Sequence, residues 1–309
     1  MSSFSLRVAG AVALAIALPF AVTACGGGGD NNPLSTGSAP AAPSDTIVVG
    51  SANFPESTLL AQIYAGALTA KGVKVSTKLN IGSRETYIPG LQDGSIDLIP
   101  EYSGVLLQYF DKNATQVTSD DVYAALKTKV PAKLTVLDQS TAEDKDSITV
   151  TKQTADKYNL KSIADLQPVA GQLTLGGPPE WKTRQTGAPG LKAKYDVVFK
   201  EFKSLDAGGP LTINALKNGS IQAADVFTTD PNIVANGWVA LEDPKFLFAA
   251  QNVLPLINKA KASQTVSDAL NAVSAKLTTE VLIDLNTKVA AGTDSAEVAK
   301  TWLTDQGLV

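Results

Sequence analysis

Tyr102 followed by Ser103, and Phe227 followed by Thr228, close two near-copies of one phrase: GLQDGSIDLIPEYSG at 90–104 and ALKNGSIQAADVFT at 215–228. Leu91 aligns with Leu216, Gly94 with Gly219, Ser95 with Ser220 and Ile96 with Ile221. A ring face beside a hydroxyl is equipment for holding a small molecule by stacking and hydrogen bonding. In each copy the phrase reads as a helix end, a glycine turn, a short buried strand, and then the aromatic and the hydroxyl just past the strand's carboxyl end. That end is where open α/β sheets seat their ligands. Two lobes built alike and facing each other would present Tyr102 and Ser103 from one wall, and Phe227, Thr228 and Thr229 from the other. Gly-Ser-Ile is equally a common helix-to-strand turn, and on that reading both aromatics are core.

The chain has no His and a single Cys, Cys25. Ser-His-Asp triads, Cys-His pairs and His-based zinc sites are therefore excluded from any fold that follows Cys25. A pair of carboxylates working as acid and base survives, as does a Ser-Lys arrangement, but neither leaves a motif in this sequence. No enzyme activity, cofactor or metal site is expected. The net charge is −4 and no basic run occurs, so nucleic acid is not an expected partner.

The elements that must position these residues begin after a leader. Residues 1–24 carry Arg7 and then an apolar run to Ala24 that ends in small residues, the pattern of a secretory signal. The ending Val22-Thr23-Ala24-Cys25 resembles a bacterial lipobox, in which Cys25 becomes the lipidated first residue of an exported, membrane-anchored protein. Residues 25–45 are almost all Gly, Pro, small or polar, and read as a flexible tether. With one Cys, no disulfide can form within the chain, so stability must come from a core.

From Thr46 onward strands and helices alternate. TIVVGSA (46–52) reads as a strand, Pro55 opens a helix ending at Gly72, VKVSTKL (73–79) is a second strand, a helix over 83–92 closes at Asp93-Gly94, and 96–99 is a third strand. Helices near 102–110 and 119–129 and a strand at 134–138 continue the rhythm. A second run starts with SITVTK (147–152), LTLGG (173–177), a helix from Pro189 through Tyr195, a strand at 202–206, a helix near 210–218 and a strand near 221–226. A helical tail starts at 261–277 and returns to the first lobe. The fold class is α/β with two lobes, the first built from 46–147 and 244–309 and the second from 148–243, each a mixed, mostly parallel sheet flanked by helices.

Four stretches, SANFPESTLLAQIYAGAL (51–68), LQDGSIDLIPEYSGVLL (91–107), GGPPEWKTRQTGAPGLKAKYDVVF (176–199) and ALKNGSIQAADVFTTD (215–230), resemble the glycine betaine, carnitine and choline-binding proteins of osmoprotectant ABC importers. The likeness covers nearly all of 46–259, in the family's order and spacing. It implies a type II periplasmic-binding-protein fold whose lobes close on a solute and deliver it to a membrane permease, with the protein a monomer held on the extracytoplasmic face of the cell membrane.

Such a solute carries a quaternary ammonium, which has no hydrogen to donate and is held by aromatic faces. By the resemblance Tyr102 is the first cage candidate and Tyr195 the next; Phe227 stands opposite by the internal echo, and Phe54 and Trp181 lie on loops in matching segments. For a solute carboxylate, Arg184 offers two parallel hydrogen bonds, with Ser57, Ser83, Thr228 and Thr229 as further donors, although Arg184 could instead pair with Glu180. Asp97, Glu101 and Asp230 could balance a positive charge, although Asp230 before Pro231 also suits a helix cap. The chain departs from the family in its aromatics, with Phe227 where a Tyr would suit a cage better. A different small solute, uncharged or aromatic, is the alternative. Two rival readings are a secreted hydrolase with two acids about 5 to 9.5 Å apart, and an adhesion or scaffold lipoprotein with no enclosed pocket.

Overall fold

The structure, a computed structural model, describes residues 45–309. The expected signal peptide, Cys25 and all but the last residue of the expected tether lie outside the described residues. The first run of elements is β1 (Ile47–Gly50), α1 (Pro55–Ala70), β2 (Val75–Lys78), α2 (Arg84–Asp93), β3 (Leu98–Tyr102), α3 (Ser103–Phe110), α4 (Ser119–Lys129) and β4 (Leu134–Val136). The second is β5 (Ile148–Val150), α5 (Lys152–Tyr158), β6 (Thr174–Gly177), α6 (Ala188–Tyr195), β7 (Glu201–Ser204), α7 (Pro210–Lys217), β8 (Ala223–Asp225), α8 (Pro231–Ala235) and β9 (Val239–Ala240). There follow β10 (Val253–Asn258), α9 (Gln264–Lys276), α10 (Thr279–Ala290) and α11 (Ser295–Asp305).

Local chemistry sets these boundaries. Pro55 sits in the first turn of α1, where its missing N–H leaves nothing unsatisfied. The repeated glycine of the two phrases has the same duty in both: Gly94 (φ 83°) and Gly219 (φ 77°) turn the chain through the left-handed region between helix and strand. Thr118, Thr151, Asp230, Ser263, Thr278 and Asp294 cap the helices that follow them through their side chains.

The strands form two five-stranded sheets, ordered β2-β1-β3-β10-β4 and β7-β6-β8-β5-β9. Position by position they are the same sheet. β1 and β6 come second and run parallel to both neighbours, β3 and β8 are central, and the fourth strand, β10 or β5, runs antiparallel to both of its neighbours. Each antiparallel strand arrives from the other half of the chain, after a crossing segment at 137–147 or 241–252. The phrase is written twice because β3 and β8 hold equivalent places in two sheets.

The core follows the same division. Leu59, Leu60, Ile63 and Leu68 of α1 are fully buried with Leu270 and Val273 of α9, Leu282 and Leu285 of α10, and Trp302 and Leu303 of α11. A second core gathers Ile148, Val150, Leu175 and Ala223 under Leu191, Trp181 and Phe248. Where α3 meets the second crossing segment, a Cβ on Gly104 would stand 2.5 Å from the Ala250 carbonyl oxygen, so only glycine allows that approach.

Two expectations need correction. β3 runs on through Tyr102 rather than stopping at residue 99, because β10 pairs with it along its whole length, from Ile257 opposite Leu98 to Val253 opposite Tyr102. The strands β9 and β10 and the helix α5 were not expected, whereas α8 follows the cap that Asp230 before Pro231 suggested. β10 is hidden by Pro255, which stands opposite Pro100, so neither strand is asked for an N–H at that register.

Candidate functional site

A cavity of about 470 Å³ opens between the two sheets. One wall comes from the first sheet: Phe54 at the entry to α1, Ser83 and Arg84 at the start of α2, Tyr87 one turn on, and Tyr102 at the end of β3. The other comes from the second sheet: Trp181 and Arg184 after β6, Asp206 after β7, and Asp225 and Phe227 at the end of β8. The crossing segments add Asp144, Asp146 and Gln251.

Three rings meet across this space. The Phe54 centroid lies 6.1 Å from that of Tyr102 and 5.1 Å from that of Phe227, both tilted, so Phe54 links the two walls. Trp181 borders the cavity but is 1% exposed and stacks on Phe248 with centroids 6.1 Å apart, so most of its surface serves the second core. Tyr195 does not line the cavity. It is buried in the second core, with its hydroxyl donating to Asp243 and accepting from the Lys245 N–H at 2.7 Å, because the helix face it occupies turns toward 243–248.

The polar residues are similarly divided. Ser83 lines the cavity and donates to Glu85 Oε2 at 2.7 Å. Arg184 also lines it, but pairs with Glu85 on the opposite wall (Nε to Oε1 3.1 Å, Nη2 to Oε2 2.8 Å) instead of with Glu180. Partial burial works against the Glu85 charge, yet hydrogen bonds from Arg184 and Ser83 bring its pKa down to about 2. Ser57 is fully buried and accepts the Ala52 N–H at 2.9 Å, fixing the turn before α1. Ser103 accepts the Asn252 N–H at 3.0 Å and donates to the Ala250 carbonyl at 3.2 Å, tying α3 to a crossing segment. Thr228 accepts the Lys145 N–H at 2.9 Å on the other one. Neither hydroxyl lines the cavity, because backbone that crosses between sheets has claimed it. Asp97 accepts the Val48 N–H at 2.9 Å, and Asp230 accepts the Asn232 N–H at 2.8 Å as the cap of α8.

Glu101 is turned away from the cavity, since successive strand residues point to opposite faces and Tyr102 takes the inward one. Its carboxylate accepts two bonds from Arg84 (Nε to Oε1 2.8 Å, Nη2 to Oε2 2.7 Å), one from the Tyr87 hydroxyl at 2.8 Å and one from the Tyr102 N–H at 3.0 Å. Burial opposes the charge on Arg84, but Glu101 and Tyr87 beside it hold the guanidinium above its ordinary pKa.

A second polar cluster joins the walls at the rear. Buried Glu56 accepts from the Tyr102 hydroxyl at 2.6 Å, from the Thr229 hydroxyl at 2.6 Å and from the Asn286 amide. Burial raises the pKa of Glu56, and these three donors pull it back. Asp144 accepts the Thr229 N–H at 3.0 Å, and burial together with the charge of Glu56 pushes its carboxyl well above the usual range. Tyr102→Phe keeps the ring and removes one donor from Glu56. It is expected to lower the unfolding free energy by about 1 to 3 kcal/mol, read from urea denaturation.

Arg84, Tyr87, Asp146 and Asp225 were missed by the sequence reading. Two signals were present: Arg84 and Tyr87 are three apart at the start of an expected helix and so share a face, and Asp225 precedes Phe227 by two along a strand direction, so both lie on one side.

Residues 45–305 match the family described as the substrate-binding domain of ABC-type glycine betaine transport systems, OpuAC. The glycine betaine-binding protein YehZ of Escherichia coli (strain K12) is 26% identical over 290 residues, spanning 89% of this chain and 95% of the relative. The carnitine transport binding protein OpuCC of Listeria monocytogenes is 26% identical over 250 residues, spanning 78% of this chain and 80% of that protein. A crystal structure described as a glycine betaine/carnitine/choline ABC transporter superposes with a TM-score of 0.67 at 22% identity, covering 85% of this chain and 99% of its own.

Proposed function

The chain belongs to the family of substrate-binding domains of ABC-type glycine betaine transport systems, and from that premise we propose that it captures a quaternary ammonium solute in the cavity between its lobes and hands it to an importer permease. The relatives named above are solute-binding proteins, not enzymes. The lobes that close are 46–147 with 244–309, and 148–243, moving about the two crossing segments. The protein works outside the cytoplasm as a monomer, held to the membrane by lipid on Cys25. Among the described residues no helix is long and apolar enough to cross a membrane.

One observation carries this reading: Phe54, Tyr102 and Phe227 bring three rings from both walls to one cavity. A quaternary ammonium offers nothing to a hydrogen-bond acceptor, but each desolvated ring face contributes about 0.5 to 2 kcal/mol. The Tyr102 hydroxyl is occupied by Glu56, leaving its ring as the part that can serve a ligand. Trp181, Arg184 and Ser83 border the same space.

Calorimetric titration of the purified protein with glycine betaine, choline and carnitine tests the proposal. Saturable binding near micromolar, about −8 kcal/mol, is expected for at least one. An absence of heat with all three would overturn the assignment of solute class and turn the search to uncharged and aromatic solutes.

A further inference from the structure

Asp225, the last residue of β8, is 1% exposed and lines the cavity, yet neither of its carboxylate oxygens receives a hydrogen bond from a protein donor. Buried polar groups are nearly always satisfied, and one that faces a ligand cavity without a donor is waiting for one from the ligand. Asp146 from the first crossing segment borders the same cavity. Burial and the neighbouring charge of Asp146 push Asp225 well above the usual carboxylate range.

The positive side chains bordering the same cavity are already charge-paired. Arg84 gives two hydrogen bonds to Glu101 and Arg184 gives two to Glu85. A solute carboxylate would meet guanidinium charges already balanced by glutamates and would sit near Asp144, Asp146 and Asp225. A cation would meet ring faces and the acids Asp144, Asp146 and Asp225, the last without a protein donor.

We propose that Asp225, with Asp146, sets the specificity of this site for an organic cation that carries an O–H or N–H donor and no carboxylate. This rests on the reading of the cavity as a quaternary ammonium site and narrows it. The three rings hold the ammonium, and the acid pair takes the donor and balances the charge. Glycine betaine and carnitine, which bring a carboxylate, are then the poorer fits.

The test titrates the purified protein and Asp225→Asn with choline, tetramethylammonium and glycine betaine, and melts both proteins without solute. Choline has a donor and no carboxylate, tetramethylammonium has neither, and glycine betaine has a carboxylate and no donor. The wild type is expected to bind choline at least about tenfold more tightly than the other two, which is one decade in Kd. Asp225→Asn is expected to erase that advantage while melting a few degrees, about 2 to 4 °C, higher without solute, because an unsatisfied buried acid has been removed. A group kept only for stability would not behave in this way.

Glycine betaine binding as tightly as choline would overturn the specificity proposal and leave the receptor reading intact. An unchanged ratio of choline to tetramethylammonium affinity in Asp225→Asn would also overturn it. Absence of binding by all three would sink both readings. Should Asp225→Asn not fold, Asp146→Asn tests the same pair through the expected loss of the choline advantage, and an unchanged advantage there would overturn the proposal.

Discussion

Methionine in place of Arg84 is expected to lower the unfolding free energy by about 3 to 5 kcal/mol, measured as a shift in the urea midpoint at unchanged slope. The Arg84 and Glu101 side chains are 8% and 0% exposed. Removing the guanidinium leaves a buried carboxylate with only the Tyr87 hydroxyl and one backbone N–H. The desolvation of Glu101 is then uncompensated, and that accounts for most of the loss. Arg184→Met supplies the contrast. The Arg184 and Glu85 side chains are 26% and 47% exposed, so water screens the pair and the expected change is about 0 to 1 kcal/mol. Equal losses in the two variants would show that burial does not separate the two arginines as the structure says.

Deleting both rings that meet across the cavity, as Phe54→Ala with Phe227→Ala, is expected to weaken binding of a quaternary ammonium roughly a hundredfold, about 2.8 kcal/mol, by calorimetry. Each ring supplies one face. The two centroids are 5.1 Å apart, so the first deletion also loosens the second ring. The single losses should therefore fail to sum to the double loss, the signature of residues in contact. Phe227 also packs on Gly208, where an ideal Cβ would come within 2.9 Å of the ring. That contact comes from its own lobe, so Phe54→Ala alone is the cleaner of the two single variants.

Much of the fold is legible in the residues because local and long-range signals agree. Pro55, Gly72, Gly94 and Gly219 punctuate the chain where the structure turns, and the apolar positions of α1 are those it buries. The echo between 90–104 and 215–228 reports that two sheets share a plan. What it does not report is the antiparallel fourth strand of each sheet. β10 pairs with β3 and β4, and β5 with β8 and β9, all distant in sequence, and no local pattern encodes such partners.

The cavity was legible in its rings and less so in its polar groups. Phe54, Tyr102, Phe227, Trp181, Arg184 and Ser83 all border it. The hydroxyls of Ser57, Ser103 and Thr228 sit one residue or one face away and are occupied by backbone N–H groups. Sequence spacing identifies a hydroxyl but not what has already claimed it. Glu101 shows the same limit through alternation along β3, and Tyr195 through the direction of α6. Asp225 is the reverse case: its importance comes from the absence of a protein donor near its carboxylate, a fact about tertiary surroundings.

The central claim is that the solute lies between two lobes that must part to admit it. Glu85 and Arg184 touch across the opening, so Glu85→Cys with Arg184→Cys, in a chain whose native thiol is removed by Cys25→Ser, offers a place to bridge the walls with a short bifunctional maleimide. Bridged before exposure to radiolabelled choline, the protein is expected to take up none. Bridged after equilibration with choline, it is expected to retain the label through gel filtration, while the unbridged variant binds and releases it. Free exchange of choline by the bridged protein in both orders of addition would contradict the claim.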